Sequence, residues 1–454
     1  MSRLLGRVRR VVASHGSALL RDAVLAGMGT AATRAFLLAL GVAVSRTVRD
    51  LEAFGVFSSV LLTVQLIAMF TGLGLAQTAS QAIAAAREDP GRQDRTVRST
   101  LLLVLLACAG AAAALPALAG LLPEGMTRAL PPDLVPAATA LLAVQLAASG
   151  LEGVLRGLHR FRTLCVAGIA ASVASVVFAV PLVRALGVRG GVLAATGFLA
   201  LQAVLLLAPI ASRLRGGLLP PREVAHLLGV TAAPTFLNGL AWNLGMLLPP
   251  LLLARSVHGL RELALWNAAA QVRTLVSFAA VVVANAAIPR LAAAYGKPAW
   301  RGEVRACVVT AMGAALATYL PVLVLARPLM GLYGAEYAEH GALLAIVASF
   351  VVLQVLGSAL FVVLLSARRT WQTALLNVLW AAVVLALAPR VIASGGAQAL
   401  ALAYLWTYGP VLLVLSLLVA RAVRIAAPCA VRPKPSLAPA TAHPALAVRS
   451  GAGR

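Results

Sequence analysis

Two arginines lie deep inside apolar stretches, and their type and placement make them the residues best suited to binding chemistry. Arg34 interrupts an otherwise uncharged run from Ala23 to Ser45, with eleven uncharged residues on either side. A helix through this run sets Arg34 roughly 16 Å from each end, near the midplane of a ~30 Å hydrocarbon layer. An ionised group at that depth costs about 3 kcal/mol or more, so it is expected to face a wet or protein-lined interior. Arg273 follows ten uncharged residues after Glu262 and precedes sixteen more before Arg290. Guanidinium forks match phosphate oxygens in bidentate geometry, so the two arginines point to an anionic cargo within the membrane.

The neighbours of these arginines on a helical wheel are small or polar. Arg34 shares a stripe with Gly27, Thr30, Gly41 and Ser45, which suits either a cavity lining or close helix packing. Arg273 shares one with Trp266, Ala270 and Ser277, within reach of a cation–π contact to Trp266. Asn238, Trp242, Asn243, Asn267 and Gln271 add polar depth to two further apolar stretches. Their amides suit sugar hydroxyls or interhelical hydrogen bonds worth ~0.6 kcal/mol each. Gln65, Gln145, Gln354 and Asn377 stand alone and read as packing groups. Glu152 and Arg156, spaced i, i+4, are expected to form a helical ion pair at a gate; a proton relay is the alternative. Pro234 is a plausible bending point near Asn238.

The elements that must position these groups are membrane helices. The chain of 454 residues is 61% hydrophobic and 11% charged, with a mean hydropathy of +0.93. Soluble domains carry about 25% charged residues. Uncharged stretches predict twelve spans, near 23–45, 54–76, 99–122, 134–155, 163–183, 190–211, 229–254, 263–288, 306–326, 341–365, 371–389 and 397–420. With twelve spans, 27 of the 38 basic residues fall on the side of the termini and nine on the other. That bias predicts a multi-pass protein of a bacterial inner membrane with both termini cytoplasmic. It also accounts for the net charge of +24 without a nucleic-acid partner. Four dispersed cysteines form no metal or disulfide pattern, and no cofactor-binding or catalytic motif is present. The loops near 123–133 and 327–340 are too short for an external domain.

The two halves echo each other at an offset near 205–209 residues. Glu52–Phe57 parallels Glu262–Trp266, His159–Thr163 parallels Ala367–Thr370, and the turn at Gly190–Gly191 parallels Gly395–Gly396. The expected fold is all-α and polytopic. Two six-helix lobes, 23–215 and 222–424, would be related by a pseudo-twofold axis along the membrane normal, with a cavity between them. A basic N-terminus (1–22) and a Pro/Ala-rich disordered tail (425–454) would flank the lobes.

Several stretches resemble the polysaccharide and oligosaccharide flippases, which share a superfamily with MATE exporters and lipid II flippases. They are Glu52-Ala53-Phe54-Gly55 with Gly72-Leu73-Gly74-Leu75, Glu262-Leu263-Ala264-Leu265-Trp266-Asn267 leading to Ile288-Pro289-Arg290-Leu291, and Leu332-Tyr333-Gly334-Ala335-Glu336-Tyr337. The resemblance implies alternating-access export of a polyprenyl-diphosphate-linked glycan, alongside other polysaccharide-assembly proteins. Basic residues on the family's first helix would meet the lipid diphosphate, a role that falls on Arg34. A MATE-like cation or drug antiporter is the alternative, but it calls for buried carboxylates, and Glu152 is the single acid within the predicted spans. A membrane glycan polymerase or glycosyltransferase calls for a large external loop or paired acids, and the sequence offers neither.

Overall fold

The computed structural model describes residues 27–72, 75–121, 130–214, 216–218, 220, 233–256, 259–295, 297, 299–367 and 369–426. Both predicted flanking segments, 1–22 and nearly all of 425–454, lie outside them. All regular structure among the described residues is helical. This follows from the solvent: hydrocarbon offers no hydrogen-bond partners, so a helix must satisfy its own backbone. The principal helices are α1 (Gly27–Val48), α2 (Leu51–Gly72), α3 (Leu75–Ala85), α4 (Pro90–Leu121), α5 (Val135–Gly157), α6 (Phe161–Leu207) and α7 (Ala233–Leu253). They continue with α8 (Gly259–Ala294), α9 (Trp300–Val324), α10 (Ala326–Gly331), α11 (Ala335–Ala338), α12 (Gly341–Ser366) and α13 (Thr370–Ala426). Nine helical stretches among the described residues are long and apolar enough to cross a membrane. Val173, Val177, Leu105, Val309, Leu320, Leu375 and Leu413 project outward from them, as a hydrocarbon surround requires.

Two of the helical stretches are too long to be single spans, and glycine breaks each of them. Gly187 within α6 adopts φ 56°, ψ −129°, and Gly396 within α13 adopts φ 57°, ψ −139°. Only glycine takes this conformation without strain. The turn expected at Gly190–Gly191 is therefore displaced to Gly187. Gly190 and Gly191 are helical, and Gly191 instead gives close approach to Val44 and Phe57. After the second break, Glu262 Oε2 accepts the Ala397 N–H at 2.7 Å. A carboxylate there caps the free amides of the resuming helix.

Other boundaries shift for local reasons. Helix α4 starts at Pro90, well before the predicted 99, because Asp89 caps it through the Arg92 N–H at 2.9 Å and Pro90 needs no partner. Its polar first turns are held by Arg213, which bonds Asp94 Oδ1 at 2.8 Å. Pro234 falls at the beginning of α7, whereas Pro249 and Pro250 lie within it.

At the side opposite the termini the two halves of the chain close on each other. Gly55 lies against the backbone carbonyl of Leu260, an approach that no side chain would permit. Residues 326–340 fold into two one-turn helices that roof this contact. Ser45 Oγ donates to the Tyr333 carbonyl at 2.8 Å, and Arg46 donates to the Leu332 and Gly331 carbonyls at 2.7 and 2.9 Å. Phe54 packs against both Tyr333 and Tyr337. Burial pushes both tyrosine hydroxyls up, Tyr337 to about 12, so both stay protonated at neutral pH. The second half has an aromatic core in which Trp380 stacks on Trp242 at 4.9 Å and Tyr404 and Tyr408 meet Phe350. Trp380, Tyr404 and Tyr408 are thus packing groups, while Trp406 is 76% exposed and suits a membrane-interface anchor.

Candidate functional site

Helix α1 carries Arg34 on the face it turns toward the second half. Two and three turns further along the same stripe, Gly41 packs against the Gln271 amide and Ser45 binds the Tyr333 carbonyl. Where those residues seal the contact, Arg34 stands free of it. Its side chain is exposed, and it lies within electrostatic reach of Glu152 on α5 and Arg273 on α8. Thr30, one turn earlier, is exposed on the same stripe.

Arg273 projects among α8, α12 and α13. Its Nη1 donates to Gln354 Oε1 at 3.2 Å, and it lies within electrostatic reach of Tyr404. The Tyr404 hydroxyl is spent on the Gly245 carbonyl at 2.7 Å. The Arg273 Nε is buried with no hydrogen-bond partner among the described residues. The expected neighbour Trp266 packs on Tyr404, with ring centroids 5.5 Å apart. A buried guanidinium held by one neutral amide is poorly compensated, and an arriving anion would correct that.

Glu152 and Arg156 form the expected i, i+4 pair at 2.6 Å. The second carboxylate oxygen, Oε1, accepts from Gln202 Nε2 at 3.1 Å. Among the described residues, Glu152 thus pairs with Arg156 and lies within electrostatic reach of Arg34, which in turn lies within reach of Arg273. No group of three metal-ligating side chains occurs among them.

The amides divide. Asn267 Nδ2 donates to Ser58 Oγ at 2.8 Å, Gln271 Oε1 accepts from the Tyr333 hydroxyl at 2.8 Å, and Asn238 Oδ1 accepts from Asn377 Nδ2 at 2.8 Å. The first and third join helices, and the second ties α8 to the turn after α10. Asn243 Nδ2 bonds its own helix at the Gly239 carbonyl, 2.8 Å away, and the residue lines a cavity with Gln65, Gln145 and Ser149. Sequence reading assigned Gln65 and Gln145 to packing and did not single out Ser149. One signal was available: Gln145 and Gln354 lie 209 residues apart, the same separation as Gly187 and Gly396.

An all-helical integral membrane protein with a basic, incompletely paired interior is the class these features define. The chain belongs to the polysaccharide biosynthesis protein family, whose model matches residues 19–294, more than half its length. Solved structures share its fold. An inward-facing multidrug resistance MATE family transporter of the MOP superfamily superposes with a TM-score of 0.68 at 16% identity, covering 86% of this chain and 95% of that one. An outward-facing one gives 0.67 at 18% identity, covering 91% and 96%. A MOP superfamily transporter from Pyrococcus furiosus gives 0.66 at 17%, covering 90% and 96%. Among curated proteins, none matches the chain.

Proposed function

We propose that this protein is an alternating-access flippase that moves a polyprenyl-diphosphate-linked oligosaccharide from the cytoplasmic to the outer leaflet. The observation that carries the reading is the electrostatic proximity of Arg34 and Arg273, one from each half, with the buried Arg273 Nε unpartnered among the described residues. A diphosphate would supply that partner and balance both charges. Arg34 and Arg273 bind it, Thr30 and Asn243 extend the polar lining, and the Glu152–Arg156 pair flanks the path. Asn238, Asn267 and Gln271 keep the surrounding helices in register. A cation exporter would want the opposite polarity, and the Glu152 carboxylate is already engaged by Arg156 and Gln202.

The architecture proposed for this task has twelve spans. Dividing α6 at Gly187 and α13 at Gly396, and adding α8, extends the nine apolar stretches to that number. Ser58 and Asn267, hydrogen-bonded to each other, are themselves 209 residues apart. Equivalent residues of a duplication meet only beside its symmetry axis, which supports two lobes (23–215 and 222–424) about a pseudo-twofold. The arginine bias supports cytoplasmic termini in a bacterial inner membrane, so the closed end faces outward and the arginines await cargo from within. A cargo with about two negative charges gains roughly 4–5 kcal/mol per 100 mV on leaving an inside-negative cell, enough to bias direction without a coupling acid.

The test is glycan export in a cell that depends on this protein, with Arg34→Ala and Arg273→Ala compared at equal membrane abundance. A charge-assisted hydrogen bond is worth about 1.5–3 kcal/mol, so each variant should lose roughly 10- to 100-fold. Full export by both variants would remove the anion site from the mechanism.

A further inference from the structure

Two adjacent prolines, Pro249 and Pro250, lie inside α7 and are buried in the bundle. Pro249 has no N–H, so the Gly245 carbonyl four residues earlier loses its helical donor. A carbonyl left open inside a membrane-spanning bundle has no water to turn to. Here the Tyr404 hydroxyl of α13, on a side chain only 1% exposed, donates to it at 2.7 Å. Pro116, Pro181, Pro321, Pro389 and Pro410 also lie within helices, but each is exposed. Among the described residues, no side chain donates to the carbonyls that those prolines free. The buried bend has a donor from a neighbouring helix, and the exposed ones do not.

Gly245 makes this contact possible. A Cβ there would strike the Trp380 ring and crowd the Ala381 backbone, so the missing side chain lets α13 lie against the α7 main chain. The attachment continues along one stripe of α7, in which Asn238, Trp242, Gly245 and Pro249 follow helical spacing. Trp242 stacks on Trp380 at 4.9 Å, and Asn238 Oδ1 accepts from Asn377 Nδ2 at 2.8 Å. Helix α13 thus holds α7 from Asn238 up to the bend. Tyr404 also touches the frame around Arg273, since its ring meets Trp266 of α8 and Phe350 of α12, each at 5.5 Å. Trp266 shares the Arg273 stripe on α8, and Phe350 lies one turn from Gln354, which accepts from Arg273 at 3.2 Å. One hydroxyl ties the α7 bend to the helices that hold the arginine.

We propose that Tyr404 is a positioning residue that makes the α7 bend a fixed joint: it takes the carbonyl that Pro249 frees, so α7 and α13 move as one body when the halves of the chain part. A proline hinge that flexed in each cycle would have to break this bond every time. Tyr404→Phe removes the hydroxyl and keeps the ring, whereas Pro249→Ala returns an N–H to α7. Measured on the full chain in detergent, the two form a double-mutant cycle. Tyr404→Phe should lower the midpoint of thermal unfolding by about 3 °C in the otherwise native chain, and by about 1 °C or less beside Pro249→Ala. Equal losses in both backgrounds would overturn the joint, because the hydroxyl would then not serve the proline.

The movement is read on glycan export, and that arm rests on the flippase reading. With the native cysteines replaced, Asn238→Cys and Asn377→Cys are joined by a short bis-thiol reagent. Joining should leave export within about twofold of the unjoined protein, as a rigid body allows. Tyr404→Phe should lose export roughly fivefold at equal membrane abundance, and joining the same cysteines in that variant should recover most of it. Export lost on joining, or unrecovered in Tyr404→Phe, would overturn the joint, since α7 would then have to move against α13. Absence of export by the native chain would overturn the flippase reading instead, and the thermal cycle would still decide the joint.

Discussion

At the scale of single residues, Glu152 separates two pictures of how this interior works. Its carboxylate holds Arg156 at 2.6 Å and Gln202 at 3.1 Å, and Arg34 feels its charge. If it serves as a local counter-charge, Glu152→Gln raises the net positive charge around Arg34, where the proposed diphosphate would bind. Coulomb attraction then strengthens, and polyprenyl-diphosphate affinity should rise several-fold at low salt and less at high salt. Transport should persist, because an i, i+4 ion pair contributes only about 0.3–0.5 kcal/mol to its helix. A proton relay predicts the reverse, with transport abolished, and paired binding and transport assays decide between them. Arg34 and Arg273 stand out in the sequence because a charge at that depth has few tolerable environments. Gln65, Gln145 and Ser149 were not: neutral polar side chains are common in packed helices, and only tertiary placement shows that these share a cavity. Asn267 and Gln271 illustrate the converse, since their spacing suggested a lining and their partners prove to be Ser58 and Tyr333.

At the scale of elements, the two glycine breaks invite a paired measurement. Both residues sit at φ near +57° with strongly negative ψ, a region that strains any other side chain by about 1–3 kcal/mol. A Cβ at Gly187 would meet nothing within 4 Å, so Gly187→Ala reports backbone strain alone. A Cβ at Gly396 would strike the Glu262 carboxylate that caps Ala397, so Gly396→Ala adds the loss of a cap worth about 0.5–2 kcal/mol. Both variants should lower the midpoint of thermal unfolding in detergent, Gly396→Ala by clearly more. Equal shifts would mean that Glu262 contributes nothing at the break. Hydropathy placed both interruptions, since the gaps at 184–189 and 390–396 hold Gly187 and Gly396, whereas the glycine pair Gly190–Gly191 suggested a turn three residues too late. Gly190 and Gly191 looked like a turn, and their missing side chains instead admit Val44, Phe57 and the Leu182 carbonyl. The start of α4 was missed for a related reason, since caps such as Asp89 and Pro90 lie outside the apolar run they precede.

At the scale of the whole molecule, the loose echoes in the sequence predict a duplication, and one contact bears on it. Ser58 and Asn267, 209 residues apart and so at corresponding positions if the chain is duplicated, bond to each other near the roof formed by residues 326–340. That roof is held by Ser45 and Arg46 on backbone carbonyls and by Tyr333 on Gln271. Most of these partners are carbonyls, which any sequence supplies, so the roof could not be read from residue types. In alternating access this end must open to release cargo, breaking the Ser58–Asn267 contact once per cycle. Ser58→Cys with Asn267→Cys, in a background with the four native cysteines replaced, should therefore cross-link on oxidation and trap the closed end. Transport should fall to background and return on adding reductant, while each single cysteine variant should keep most of its activity under the same oxidant. On the flippase reading, binding of undecaprenyl diphosphate should survive the cross-link, because the proposed arginine site would load from the side opposite Ser58 and Asn267. Full transport by the cross-linked protein would show that the halves need not part here, and opening of this end by loss of the Ser58–Asn267 contact would no longer account for movement of the cargo.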